Sequence, residues 1–152
     1  MQDAARKALA LTRSSTARER TVDITTTGRR TGRPRRIEIW FYRVGETHYL
    51  SGLPGKRSWY ANLRADPAFT FHLKHGVRAD LPATARLVTD PAERRRVLGD
   101  IVGDLNQPHN PARIAQPTRL EDWENGSPLV EIQFAGPAAP NTYNPLPTWS
   151  AT

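Results

Sequence analysis

Six short runs of β-branched or alternating residues, each cut off by glycine, proline or a charged turn, constrain this chain more than any other feature. Thr21–Thr27 reads Thr-Val-Asp-Ile-Thr-Thr-Thr and stops at Gly28. Ile37–Val44 follows, with Ile37, Ile39 and Phe41 on one face and Trp40 and Tyr42 on the other, as a central strand apolar on both sides would have them. Gly45-Glu46 turns that run into Thr47–Ser51. Phe69, Phe71 and Leu73 then alternate with Thr70, His72 and Lys74. Gly76 leads into Arg78–Val88, interrupted by Pro82, and Leu129–Phe134 closes the series. Short strands joined by hairpins favour antiparallel pairing over a parallel α/β sheet. The predicted fold is mainly β with flanking helices, about six antiparallel strands forming a small barrel.

Three helices are expected beside the strands. Residues 3–12 place Ala4, Ala8 and Leu11 on one stripe, and Ser14, Ser15 and Thr16 end it. Ser58 can cap a short helix over Trp59–Ala65, which stops at Asp66-Pro67. Asp90-Pro91-Ala92-Glu93 opens a longer helix to about Leu105, with a cap, a first-turn proline and a glutamate three residues after the cap. Residues 106–126 read as a loop with one helical turn around Leu120–Trp123. The expected organisation is an N-terminal helix or arm over 1–20, a barrel domain over 21–135 and a Pro-rich tail over 136–152.

Composition removes several function classes. The 152 residues contain no cysteine, which excludes disulfides, thiolate metal sites and a cysteine nucleophile. No apolar run approaches the ~20 residues of a membrane-spanning helix, and Met1–Ala10 lacks the apolar stretch of a secretory signal, so a soluble cytoplasmic domain is expected. Histidines offer no metal site: His72 and His75 would point to opposite faces of one strand, and His48 and His109 are isolated. No serine sits in a nucleophile elbow and no carboxylates pair at glycosidase-like spacing. Glu121, Asp122 and Glu124 read as a solvated helix start.

Charge is where the chain departs from the ordinary. The formal net charge is +7, with fifteen basic and six acidic side chains in residues 1–75 against seven and nine in 76–152. Five arginines crowd into Gly28-Arg29-Arg30-Thr31-Gly32-Arg33-Pro34-Arg35-Arg36, between the first two strands. Glycines permit tight turns, and guanidinium forks bind phosphate or carboxylate oxygens, so this turn reads as an anion cradle. A solvated basic hairpin and a nucleic-acid patch are the alternatives; no recognition helix or RNA-binding aromatic signature accompanies the arginines. Ser51-Gly52-Leu53-Pro54-Gly55-Lys56-Arg57 is a second basic turn, too short between its glycines for a Walker loop but suited to an oxyanion at a helix start. It reads equally as an ordinary strand-to-helix turn. Trp59 and Leu63 share a helix face, with Asn62 beside them, and such pairs are more often core than ligand contacts. Anion-binding turns and aromatic walls without a self-sufficient catalytic group suit a protein whose cofactor does the chemistry.

A strand ending Thr-Thr-x-Gly-Arg-Arg-Thr-Gly-x-x-Arg, a strand–hairpin–strand, then Ser-Gly…Gly-Lys…Trp-Tyr-x-Asn-Leu-x-x-Asp-Pro resembles the deazaflavin-dependent nitroreductase family. Its members are also called coenzyme F(420)-dependent quinone reductases, of the split β-barrel flavin-binding superfamily. The resemblance is close from Thr25 to Lys74 and extends weakly to Phe134. It implies a split β-barrel and 8-hydroxy-5-deazaflavin, a cofactor carrying a phosphodiester and a polyglutamate tail. By position, Arg29, Arg30, Thr31, Arg35 and Arg36 would hold the phosphate and acidic tail. Lys56 would make a second phosphate-side contact, with the backbone of Ser51, Gly52, Leu53 and Gly55. Ser58, Trp59, Tyr60 and Asn62 would border the site, and Ile37, Glu38, Ile39 and Trp40 would line the ring. Hydride would pass from the reduced deazaflavin to a quinone, nitro compound or activated alkene.

The resemblance identifies no catalytic group. Relatives that reduce nitroimidazoles carry tyrosines after the long helix, where this chain has Asn106, His109 and Trp123; with Tyr42, these are the candidates on the substrate side. Tyr143 lies in the tail, and the Ser51–Trp59 loop is shorter than the common family form. FMN in place of deazaflavin, and a non-catalytic small-ligand module on the same barrel, remain alternatives. The expected partner is a small-molecule acceptor, with no nucleic acid and no metal. A homodimer is open, the tail folding over the pocket or over a partner subunit. A membrane surface is also open, although the N-terminal stretch is not strongly amphipathic.

Overall fold

Alternation along the first strand shows how the sheet closes. Val22, Ile24 and Thr26 are buried, while Thr21, Asp23, Thr25 and Thr27 are half-exposed. The computed structural model describes residues 1–112 and 118–136. In it β1 (Thr21–Thr27), β2 (Pro34–Val44), β3 (Thr47–Ser51), β4 (Ala68–Leu73), β5 (Ala79–Leu87) and β6 (Leu129–Phe134) form one closed barrel in the order β1-β2-β3-β6-β5-β4. Every pairing is antiparallel. The fold is the small, mainly β barrel with flanking helices expected from the strand pattern.

Register places the apolar set inside. Ile24 lies opposite Ile37 and Phe71, and Leu50 opposite Phe41 and Val130. Ile24, Phe41, Leu50, Phe71 and Val130 are fully buried. Phe71 meets Phe41 and Phe134 edge-on, each at 5.1 Å between ring centroids, the arrangement aromatic quadrupoles favour. A helix α1 (Asp3–Leu9) covers the barrel end where β1 begins, sending Ala5 and Leu9 into this core. His48 of β3 bonds the Leu9 carbonyl there at 2.8 Å. At the end where β1 finishes, α3 (Ser58–Ala65) adds Trp59 and Leu63 to the same core. On the outside, α4 (Pro91–Leu105) and α5 (Leu120–Gly126) bury a second cluster against Tyr42, Tyr49 and Leu129.

Several local expectations are corrected. β2 starts at Pro34, three residues before Ile37, because Arg35 and Pro34 pair with Thr26 and Thr27; a proline at a strand's first residue interrupts no ladder bond. It is not buried on both faces throughout, since Pro34–Glu38 are exposed, Ile37 at 37% among them. The buried stripe of α1 is Ala5 and Leu9, not Ala4 and Ala8, and the helix ends at Leu9. Ser14–Thr16 leads straight into α2 (Ala17–Arg20), where Thr16 and Glu19 form a capping box. Pro82 does not interrupt β5: it sits opposite Thr70, and its carbonyl accepts from Ala135 N at 2.9 Å. α5 runs to Gly126, beyond the single turn expected. His75 lies past the end of β4, while His72 bonds Thr25 Oγ1 at 2.7 Å and Asp80 at 2.6 Å. Residues 137–152 of the Pro-rich tail lie outside the described residues.

Candidate functional site

At the end of β1, the backbone reverses through the arginine turn. Gly28 N donates to Arg33 O and Gly32 N to Gly28 O, both at 2.8 Å. Gly32 takes a left-handed φ of 71°, where a side chain would be strained. A Cβ at Gly28 would lie 3.0 Å from Thr31 Oγ1 and 3.1 Å from Arg33 O, so a larger residue there would push the turn open by a few tenths of an ångström. Arg29 is pinned from α3: Asn62 Oδ1 accepts from its backbone N and its Nη1. Between this turn and α3 lies a cavity of about 320 Å³, walled by Thr26, Arg29, Arg30, Thr31, Arg35, Ile37, Trp59 and Asn62.

A second cavity of about 690 Å³ adjoins the first through Arg29 and Ser58. The turn before α3 supplies Gly55, Lys56 and Arg57, and α3 supplies Tyr60, Ala61 and Arg64. Asn125–Pro128, the end of α5 and the two residues leading into β6, form the remaining wall. The two loops are joined by Gly55 N donating to Gly126 O at 3.0 Å. Arg57 folds back on its own turn, donating to Leu53 O at 2.8 Å and Lys56 O at 3.0 Å.

The charge lining the two cavities is of one sign. Arg29, Arg30, Arg35, Lys56, Arg57 and Arg64 line the two cavities, and no carboxylate does. Among the described residues none of the six pairs with an acid, whereas Arg20, Arg36, Lys74, Arg86 and Arg95 all do. Unneutralised cations converging on a concave surface form a field that recruits a polyanion. Ser127 lines the larger cavity, and its Oγ is the one buried side-chain polar atom without a hydrogen-bond partner among the described residues. A phosphorylated, acid-tailed cofactor fits this donor set, because it brings acceptors for every unpaired group.

Many of the sequence-derived candidates come together. Arg29, Arg30, Thr31, Arg35, Ile37, Ser58, Trp59 and Asn62 line the smaller cavity, and Gly55, Lys56 and Tyr60 the larger. The other candidates lie elsewhere. Arg36 and Glu38 are on the outer face of β2, where Arg36 pairs with Asp23 at 3.0 Å and Glu38 with Lys74. Ile39 packs against the barrel core and Trp40 against the α4 cluster. Ser51 is buried, its Oγ donating to Pro128 O at 2.6 Å; Gly52 follows it, and Leu53 is exposed. Of the substrate-side candidates, Tyr42 is buried under α4 and Trp123 is core in α5. Burial pushes the Tyr42 phenol above its ordinary pKa. Asn106 exchanges hydrogen bonds with the Thr118 backbone, and His109, beyond α4, holds a φ of 55°. None of these four lines either cavity. Tyr143 lies outside the described residues.

Residues not singled out from the sequence also line the cavities. Arg64 reaches the larger one because it follows Tyr60 by four residues on one helix face. Asn125-Gly126-Ser127-Pro128 is a recognisable turn sequence, but its place opposite Lys56 depends on β6 pairing with β3.

The barrel is shared with solved structures of low sequence identity. A conserved hypothetical protein from Mycobacterium tuberculosis is 21% identical, over 88% of this chain and 81% of that one, with a TM-score of 0.59. A FAD-binding protein from Mesorhizobium loti is 13% identical, over 90% and 91%, at 0.54. An F(420) reductase is 17% identical, over 77% and 88%, at 0.52. These likenesses show the fold. No curated protein matches the chain in sequence. The model of the F(420)H(2)-dependent quinone reductases, by contrast, matches residues 6–108, which span β1–β5 and both basic turns, and the chain therefore belongs to the F(420)H(2)-dependent quinone reductase family.

Proposed function

We propose that this F(420)-dependent oxidoreductase passes hydride from reduced deazaflavin to an electron-poor small molecule: a quinone, a nitro compound or an activated alkene. The observation that carries the reading is the pair of adjoining cavities lined by six unpaired cations, no carboxylate and the aromatic side chains of Trp59 and Tyr60. Bound in its reduced form, the coenzyme supplies the hydride. Arg29, Arg30, Thr31 and Arg35 bind phosphate and proximal tail oxygens. Lys56, Arg57 and Arg64 take up further acidic groups in the larger cavity. Asn62 keeps Arg29 from collapsing onto the turn, and Trp59 with Ile37 presents an apolar wall that excludes water and strengthens the surrounding charges. The chain's contribution is position and field.

The reading carries with it a cytoplasmic enzyme, monomeric or homodimeric, acting on a small molecule. Among the described residues no helix is long and apolar enough to cross a membrane. Titrating the purified protein with coenzyme F(420) while following its fluorescence tests the first step. Quenching at micromolar coenzyme is expected, and its absence overturns the reading. Mass spectrometry of any cofactor released on denaturing the purified protein distinguishes a flavin from deazaflavin.

A second reading has its own support. Tyr42, Asn106, His109 and Trp123 all lie away from the cavities, which leaves the site without an identified proton donor. A module that binds the coenzyme without turnover has the same cations and needs no such donor. Steady-state reduction of menadione separates the two: the enzyme turns over, and the module quenches fluorescence with no turnover.

A further inference from the structure

The wall Asn125–Pro128 stands on a short support. α5 has seven residues, no side-chain cap at its start and no basic residue in its last turn. A helix of that length does not hold itself in water, and its last carbonyls need partners from outside. Trp123 anchors it to the core, and one residue of α4 serves its C-terminal end. Arg94 Nη2 donates to Ser127 O at 2.8 Å and Glu124 O at 3.1 Å, and lies 3.4 Å from Trp123 O. Its Nη1 donates to Val88 O at 3.2 Å, which fixes the guanidinium from the other side. A cation among the terminal carbonyls of a helix is also favoured by the helix dipole.

The wall in turn sets the basic loop. Gly126 O accepts from Gly55 N, and Pro128 O accepts from Ser51 Oγ, so the loop is bonded to the wall on both sides. Contact is close enough that a Cβ on Gly126 would lie 3.2 Å from Pro54 Cβ. Lys56 and Arg57 follow directly and line the larger cavity together with Arg29 and Arg64. Arg94 itself lines neither cavity.

We propose that Arg94 is a positioning residue for coenzyme binding, holding the α5 carbonyls so that the wall registers Lys56 and Arg57 against the cofactor's acidic groups. This rests on the coenzyme reading given above. A misplaced wall moves two cations whose value to a ligand depends on distance, while leaving the barrel and the smaller cavity intact.

The test compares wild type with Arg94→Met, Arg94→Lys and, as a control on the same helix, Arg95→Met. Arg95 reaches only the Glu124 carboxylate at the surface. Coenzyme Kd is read by fluorescence quenching, and kcat and coenzyme KM with menadione. Arg94→Met is expected to raise Kd and KM about tenfold, the loss of roughly one charged hydrogen bond, with kcat at saturating coenzyme within about twofold. Arg94→Lys, which keeps the charge but not the fork, falls between. Arg95→Met changes nothing. Gly126→Ala displaces the same loop from the other side and raises Kd in a protein with Arg94 intact, so the proposal stays testable if Arg94→Met folds poorly. An unchanged Kd in Arg94→Lys and Gly126→Ala overturns it, as does an equal loss in Arg95→Met. If wild type leaves the fluorescence unchanged, the coenzyme reading falls and this proposal with it. Wild-type binding beside unaltered variants removes this proposal alone.

Discussion

Asn62 Oδ1 accepts two hydrogen bonds from Arg29, one from its backbone N at 3.1 Å and one from its Nη1 at 3.0 Å. The other end of the amide, Nδ2, donates to Thr26 Oγ1 at 3.2 Å. One buried side chain on α3 thereby joins the end of strand β1 to the arginine turn that follows. Of the cations around the two cavities, Arg29 is the one shared by both, so this contact sits where the candidate site is continuous.

Asn62→Asp is the informative change at this position. The carboxylate keeps both acceptor contacts with Arg29, and the Thr26 hydroxyl can turn to donate to it, so the melting temperature should stay near wild type. It also places a negative charge in a lining that has none. Coenzyme affinity should fall at least about tenfold, since a charge-assisted pair with Arg29 competes directly with the ligand. Fluorescence titration checks this, and wild-type affinity in the variant would remove Arg29 from the binding surface.

Acid sensitivity near neutrality should come from the opposite barrel end. Burial lowers the pKa of His48 below its ordinary 6.5, Arg43 acts in the same direction, and the bond to Leu9 O opposes them. The folded state therefore favours neutral imidazole, and the unfolded chain takes up the proton first. This stability is fully present above the unfolded value near 6.5 and is lost as pH falls below it toward the depressed folded value. Melting temperature should drop between about pH 7 and pH 5. His48→Gln retains a donor for Leu9 O and does not titrate, so its profile should be flatter; an unchanged slope would assign the sensitivity elsewhere.

How much of this was legible beforehand depends on whether a contact is local. The arginine turn and the Trp59–Asn62 helix each lie within one short segment, and their residue types alone point to an anion site. Arg35 and Arg36 show where that stops. Both looked like cradle residues, but neighbours on a strand face opposite ways. Pairing of Arg35 with Thr26 turns Arg35 into the cavity and Arg36 out toward Asp23. The wall Asn125–Pro128 was out of reach altogether, since Ser51 meets Pro128 across 77 positions through a β3–β6 pairing that no local pattern encodes. Tyr42 and Trp123 were misleading for a related reason: an aromatic residue has the same appearance in sequence whether a helix or a ligand covers it.

Stability and binding should separate at Arg20 and Asp104. The Arg20 side chain is 1% exposed and gives Asp104 two bonds, 2.5 Å to Oδ2 and 3.2 Å to Oδ1, with further bonds to Ser15 O and Thr12 O. Asp104→Leu strands a buried guanidinium and should cost about 3–5 kcal/mol. Arg20→Leu combined with Asp104→Leu removes both charges and should be milder than the sum of the singles. The pair lines neither of the two basic cavities, so coenzyme Kd measured on folded protein should match wild type. Chemical denaturation of the double-mutant set, with fluorescence titration alongside, checks both halves.

Ser127→Ala should shift stability and affinity in opposite directions. The hydroxyl is buried without a partner, so its removal relieves a desolvated polar group and should stabilise the free protein by about 1 kcal/mol. Most buried hydroxyls are satisfied, and Ser127 lines the larger cavity, where a bound ligand can supply the missing partner. If the coenzyme supplies that partner, Ser127→Ala weakens its binding severalfold while raising the melting temperature of the apo form. Melting curves with and without coenzyme read both effects in one experiment. The ligand-induced stabilisation should shrink in the variant. A variant stabilised equally in both conditions would show that the hydroxyl faces away from the ligand.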